Sequence, residues 1–501
     1  MTKCIFIQLI WRDFCEFCKK VTAFLSLLLA VLMAASTFTA CSDKTDETDG
    51  TEGVQTDAES TSGDESAAEE EEEGTTYYKD MAAVDYEGWT MRIAGRPLNT
   101  SCFNVITVED ITGDVFNDAI FNREAAVQDK YNIEIEEIIE DDPNGCIKKS
   151  VTANTQDYSM SYCVLTDEIS MFCNNYAIGV SDMPVFDLTK PYWDQGAIRT
   201  LSINGKMYYG LSDMGFGHYE SNLVMFYNGV LLTNTQLESP YDLYKNGEWT
   251  LDKMYEMMQT VSNDENGDGR MVEGEDIFGF VGRVGKYQTT VTGSGYSLVM
   301  WDDSTKTSEF KITSDDMMAI GEMTKKMLFD EDISIVEGDK STEMFKQGQA
   351  LFYCRTLGDF RNLRDQEDDY GIINWPALRG DMVGSSYCVN PEAFFISADC
   401  EDQERLATII ESINAYTYDY VLDDYIEKAV IGKGARDKQS AEIVRENFSR
   451  RAFDMAGAFG LSSPQGAWKT AIMKDMYASV ESKSNKTVQR EMEAVLSGLM
   501  D

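Results

Sequence analysis

From Trp89 onward, short apolar runs alternate with stretches of helical spacing, as the strand–helix–strand units of a parallel sheet require. The run 89–95 predicts a first strand ending at Gly95. Residues 114–131 predict an amphipathic helix with Val115, Ala119, Ile120, Ala126 and Val127 on one broad face. Alternation over 132–136 predicts the next strand, and 207–211, 222–228, 350–353, 370–374 and 393–396 read as further strands. A helix is predicted over 251–261 with Thr250 as its N-cap, and 403–420 and 441–459 are helical in pattern. No repeat of solenoid period is visible, so the body is expected to be α/β.

The first residues follow a different rule. Lys19 and Lys20 precede an apolar run over 21–35, then Ser36-Thr37-Phe38-Thr39-Ala40-Cys41. A charged start, a short apolar core and small residues before a cleavage point predict an export signal over 1–40. Phe38-Thr39-Ala40-Cys41 resembles the lipobox of bacterial lipoproteins, which implies that Cys41 carries the lipid and that the chain is held at the outer face of the cytoplasmic membrane. Between Ser42 and Thr76, fourteen acidic residues face one lysine, Lys44, and no aromatic occurs. Residues 41–76 are therefore expected to form a disordered, self-repelling tether ahead of a body over 77–501.

Composition narrows the chemistry. A formal charge of −44 gives no basic footprint for nucleic acid. The single histidine, His218, rules out a multi-histidine zinc site. Seven cysteines fall in the body, an odd number without a Cys-x-x-Cys pair, so free thiols are expected rather than a disulfide framework. Asp264-Glu265-Asn266-Gly267-Asp268-Gly269, with Glu275 six residues further on, fits the D-x-[DN]-x-[DN]-G-x5-E calcium loop. Asp264, Asn266, Asp268 and Glu275 would ligate through side chains and Arg270 through its carbonyl, with Asp276 competing for the closing place. The ion would be a structural Ca2+; no organic cofactor is implied.

Several stretches in order resemble the extracellular solute-binding proteins of the maltose-binding type (family 1). These are Leu188-Thr189-Lys190-Pro191-Tyr192-Trp193-Asp194-Gln195, Ile203-Asn204-Gly205-Lys206-Met207-Tyr208-Tyr209, Phe226-Tyr227-Asn228, Pro240-Tyr241-Asp242-Leu243 with Trp249-Thr250-Leu251-Asp252, Phe345-Lys346-Gln347-Gly348-Gln349-Ala350-Leu351-Phe352, and Tyr370-Gly371-Ile372-Ile373-Asn374-Trp375-Pro376. The resemblance implies a two-lobed periplasmic-binding-protein-like fold with hinge-crossing segments and discontinuous lobes. Lobe 1 is expected over about 86–223 and 350–390, and lobe 2 over about 227–348 and 394–501, with crossings near 223–227, 348–353 and 389–394. It also implies closure on a solute, a carbohydrate for preference, and delivery to the permease subunits of an ABC importer. In such receptors aromatic faces and planar polar groups hold the sugar. The candidates here are Trp193, Asp213, Tyr296, Trp301, Arg355, Trp375 and Tyr387.

Two rival readings stay open. A surface glycosidase needs only two carboxylates, and 87 acidic residues supply many pairs, although no nucleophile elbow, phosphate loop or metalloprotease motif occurs. A sensory or adhesive module could use the same fold without transport.

Overall fold

Asp114 accepts hydrogen bonds from the amides of Phe116 (3.0 Å) and Asn117, and so starts the helix Val115–Tyr131; Asn132, left-handed at φ 47°, ends it. That helix joins β1 (Trp89–Gly95) to β2 (Ile133–Ile139), which pair in parallel with Trp89 opposite Ile133. The computed structural model that shows this describes residues 76–98, 103–167, 170–330, 332–382, 385–432 and 437–496. The expected export signal, Cys41, the expected tether up to 75 and Cys102 lie outside the described residues. Among the described residues no helix is long and apolar enough to cross a membrane.

Two main sheets organise the body. The first has the order β2-β1-β3-β13-β4, with β3 (Met160–Val164) parallel to β1, and β13 (Glu392–Ser397) antiparallel to both β3 and β4 (Ala177–Ile178). The second has the order β11-β5-β10-β6-β9. There β5 (Asn222–Asn228) runs antiparallel to β10 (Ala350–Thr356), β11 (Tyr370–Ile373) and β12 (Tyr387–Cys388). In the same sheet β6 (Phe278–Gly282) is parallel to β10 and to β9 (Ser334–Val336). A hairpin of β7 (Val299–Asp302) and β8 (Thr307–Phe310) stands apart.

These pairings correct the expected lobe boundaries. All of β5 lies in the second sheet, so the first crossing precedes it, between Gly210, which bridges to Phe394, and Asn222. No crossing occurs at 348–353, because β10 sits between β5 and β6 in the second sheet. The stretch 350–388 therefore belongs with lobe 2, not lobe 1. The chain crosses again between Cys388 and Glu392. The start of the segment expected in lobe 2 instead serves lobe 1, since β13 completes the first sheet and the helix Gln403–Tyr416 packs on Val115–Tyr131. A return follows through π-helical turns at Thr417–Val421 and Tyr425–Ile431 to the helix Lys438–Arg450, where Ser440 accepts the amide of Ile372 in β11.

Local differences have local causes. The predicted strand 207–211 is instead an irregular segment held by the Gly210 bridge. The helix predicted over 441–459 breaks after Arg450, because the extended Arg451 turns into the interior and Asp454 caps the short helix Met455–Ala458. Arg451 donates to Asp194 through Nε (2.8 Å) and Nη2 (2.5 Å), and both side chains are buried. The described body cysteines are thiols not joined in disulfides.

Several carboxyls are enclosed in this interior. Burial pushes Asp213 up to about 7, although the Tyr219 hydroxyl donated to it pulls the other way. Burial likewise raises Glu124 to about 8 and Asp454 to about 6. When folded, these groups keep protons that the unfolded chain releases near 3.8 or 4.5. Their contribution to stability is complete below those values and is lost as pH rises through about 6 to 8. His218 opposes them below 6.5, because burial holds it neutral in the fold while the unfolded chain protonates it. It is one group against several, since burial also raises Glu137, Glu411 and Glu392. Carboxyls held low, such as Asp402 and Glu442, are ionised in both states across this window. The midpoint of thermal unfolding is therefore expected to be lower at about pH 8 than at about pH 5, and Asp213→Asn should flatten the dependence; a midpoint that rises across the window would contradict this assignment.

Candidate functional site

Parallel strands send their carboxyl ends to one edge of a sheet, and in open α/β sheets ligands gather beyond that edge. Here both sheets direct that edge at one cleft. From lobe 1, Arg96 follows β1, Asp141 lies just past β2 and Val164 ends β3; from lobe 2, Arg283 follows β6 and Thr356 ends β10. Val389 and Asn390 of the second crossing form the floor between them, in a cavity of about 540 Å³. A second cavity of about 550 Å³ shares Arg283, Thr356, Val389 and Asn390 and extends to Tyr287, Glu337, Gln465 and Lys469. Each is of a size that suits a small ligand.

The cleft is polar and its charges are mixed. Arg96 Nη1 lies 3.8 Å from Glu392 Oε1 on the first wall, and Arg283 Nε lies 3.8 Å from Glu337 Oε2 on the second. Both separations are too long for hydrogen bonds, so each arginine keeps donors for a ligand. Glu392 is 6% exposed and is pushed up to about 7 by burial, with Arg96 acting against that shift. Tyr287 is the aromatic ring at this site among the described residues. Its backbone is left-handed at φ 69°, as is that of Glu337 across the same cavity at φ 62°. Non-glycine residues in that region carry strain that collects at binding sites. Stacking on Phe329, with centroids 4.6 Å apart, and the Trp468 indole N–H donated to its carbonyl hold Tyr287 in place. Gly282, at φ 132°, has no room for a Cβ, which would lie 2.2 Å from the Cys354 carbonyl oxygen. Only glycine delivers Arg283 to the cleft from this strand end.

The residues singled out from sequence mostly lie elsewhere. Trp193 is buried between Phe186 and Phe394 and donates its indole N–H to Glu411 (3.1 Å). Trp375 is buried with its indole N–H on Cys354 Sγ, and buried Tyr387 donates to Gln288 (3.1 Å). Asp213 is enclosed at the first crossing by Tyr219. Arg355 stands inside β10 opposite Val224, with its guanidinium 5.9 Å from the Tyr353 ring centroid. Tyr296 and Trp301 do share a cavity, of about 690 Å³, with Arg199, Lys311 and Phe453 at the β7–β8 hairpin. They do not line the cleft. The cleft residues Arg96, Arg283 and Thr356 were not anticipated, though each stands at or directly after a strand end.

The acidic loop lies before β6, at the end of the second sheet away from the cleft. Asp264 accepts the amides of Gly267 and Gly269 (both 2.7 Å), Asn266 accepts that of Asp268 (2.9 Å), and Asp268 that of Arg270 (2.9 Å). Asn266 Nδ2 is 3.5 Å from Glu275, while Asp276 is fully buried and accepts the amides of Glu265 and Val272. The donors are oxygens, as calcium prefers. Among the described residues, however, no three His, Cys, Asp or Glu side chains converge to hold a metal.

No family model and no curated protein matches the chain. Solved structures do. A cyclic alpha-maltosyl-1,6-maltose binding protein from Arthrobacter globiformis aligns over 82% of this chain and 99% of its own, at 14% identity and a TM-score of 0.55. A cyclo/maltodextrin-binding protein complexed with maltotetraose aligns over 81% and 97%, at 10% identity and a TM-score of 0.54. An ABC substrate-binding protein from Listeria monocytogenes, in complex with cycloalternan, aligns over 81% and 98%, at 12% identity and a TM-score of 0.51. Identities this low speak to architecture alone. The chain has the two-lobed α/β fold of the maltose-binding-type solute-binding proteins, with discontinuous lobes joined by crossing segments.

Proposed function

We propose that this chain is an exported binding protein that captures a saccharide between its lobes by hinge closure and presents it to the permease of an ABC importer. The observation that carries this reading is the cleft itself: strand ends of both lobes supply its walls and a crossing segment its floor. Closing the lobes would bring Arg96 and Arg283 onto opposite sides of one ligand. The three structural relatives described above were named for, or solved with, oligosaccharides, which supports the ligand class. They are binding proteins rather than enzymes.

Two finer parts belong to the same reading. A lipid on Cys41 would hold the chain at the outer face of the membrane, with residues 42–76 as its tether. A Cys41→Ala chain should then leave the membrane fraction for the medium; retention would contradict the anchor. Calcium would clip the loop 264–275 as a structural ion, supported by its oxygen donors at alternate positions.

A thermal-shift panel of oligosaccharides, run with calcium and then with chelator, tests both binding claims. A sugar at a hundred times its dissociation constant should stabilise the fold by about 2.7 kcal/mol without being consumed. Consumption with product formation would favour a glycosidase, and indifference to every sugar would overturn the saccharide assignment. A midpoint unmoved by chelator would overturn the calcium clip.

A further inference from the structure

Glu392 opens β13, immediately after the crossing at 389–391, and its side chain lines the cleft beside Arg96, Asn104 and Asn390. It is 6% exposed, yet among the described residues its Oε2 has no hydrogen-bond partner. Its Oε1 is 3.8 Å from Arg96 Nη1, beyond hydrogen-bond reach. Buried carboxyl oxygens are normally satisfied, so an unpartnered one at the wall of a ligand-sized cavity points to a donor that arrives from outside.

The surrounding structure makes room for this side chain. A Cβ on Gly217, in the first crossing, would lie 2.3 Å from Glu392 Cγ. The two crossings thus meet at Glu392, and glycine is what lets the carboxyl lie there. Burial raises Glu392 to about 7, and a donated ligand proton would offset that burial.

We propose that Glu392 sets the charge specificity of the cleft: on closure its carboxyl accepts a hydrogen bond from a hydroxyl of an uncharged saccharide while Arg96 donates to the neighbouring hydroxyl oxygen. The proposal rests on the saccharide reading above and narrows it. A uronate placed here would face the Glu392 carboxyl, and an amino sugar would face the Arg96 guanidinium. Either like-charge contact is costly in a site shielded from water. A neutral vicinal diol meets an acceptor and a donor side by side, and the Arg283–Glu337 pair offers a similar combination on the opposite lobe.

The test uses the full chain and its Glu392→Gln and Glu392→Ala variants, titrated calorimetrically with maltotriose, cellotriose, mannotriose and xylotriose, and with the acidic trimer trigalacturonate. We expect at least one neutral trimer to bind and trigalacturonate not to bind. At about pH 8, where Glu392 is mostly ionised, losing a hydrogen bond to a charged acceptor should weaken the neutral sugar by about tenfold or more in Glu392→Gln, and further in Glu392→Ala. Glu392→Gln should also unfold at a temperature no lower than the parent when unliganded, because it removes a buried carboxyl whose half-exposed partner Arg96 stands beyond hydrogen-bond reach; this separates lost binding from lost folding. Equal neutral-sugar affinity in the parent and Glu392→Gln would overturn the proposal while leaving saccharide binding intact. A preference for trigalacturonate would do the same. If no trimer of either kind binds, the saccharide reading falls and this proposal falls with it.

Discussion

Arg451 and Asp194 carry opposite charges into an interior where either one alone would be a costly unpaired charge. Joined by two hydrogen bonds, with the guanidinium 4.2 Å from the Tyr219 ring centroid, they link parts of the chain that serve different sheets. Arg451 ends the helix lying on β11, whereas Asp194 caps the helix Gln195–Leu201 in the segment that leads to Gly210 and β13. A buried pair of this kind adds little net stability over an apolar substitute, yet removing one partner costs about 3–5 kcal/mol because the other is stranded. Its value here is placement. It fixes where the two lobes meet, beside the first crossing and its buried Asp213 and His218.

The cleft follows from that meeting. With the lobes joined along the crossings, the carboxyl ends of β1, β2 and β3 face those of β6, β9 and β10 across a gap floored by Val389 and Asn390. Strand direction therefore selects the ligand-facing residues. They are polar and mixed in charge, and the large aromatic side chains of the body mostly fill its cores.

Much of the fold was legible in the sequence because propensity and burial agree there. Trp89–Gly95, Asn222–Asn228 and Leu251–Val261 with its Thr250 cap form as their patterns indicate. The lobe boundaries were not legible, since an apolar run such as 350–353 marks a buried strand without naming its sheet. The site was harder still. Trp193, Trp375 and Tyr387 look the same in sequence whether they stack on a ligand or fill a core, and burial decides for the core. Arg355 illustrates a smaller gap. The apolar run 350–353 puts Arg355 past the end of a strand, but β10 continues to Thr356, so Thr356 reaches the cleft instead. Glu392 gave no signal, because its significance depends on a crossing that only tertiary structure reveals.

The central claim is that two lobes hinge about these crossings and close on a sugar. Small-angle X-ray scattering of the chain, with and without a saccharide shown to bind, tests that most directly. The account predicts a smaller radius of gyration and a smaller maximum dimension with the sugar bound. Binding that leaves both unchanged would contradict closure.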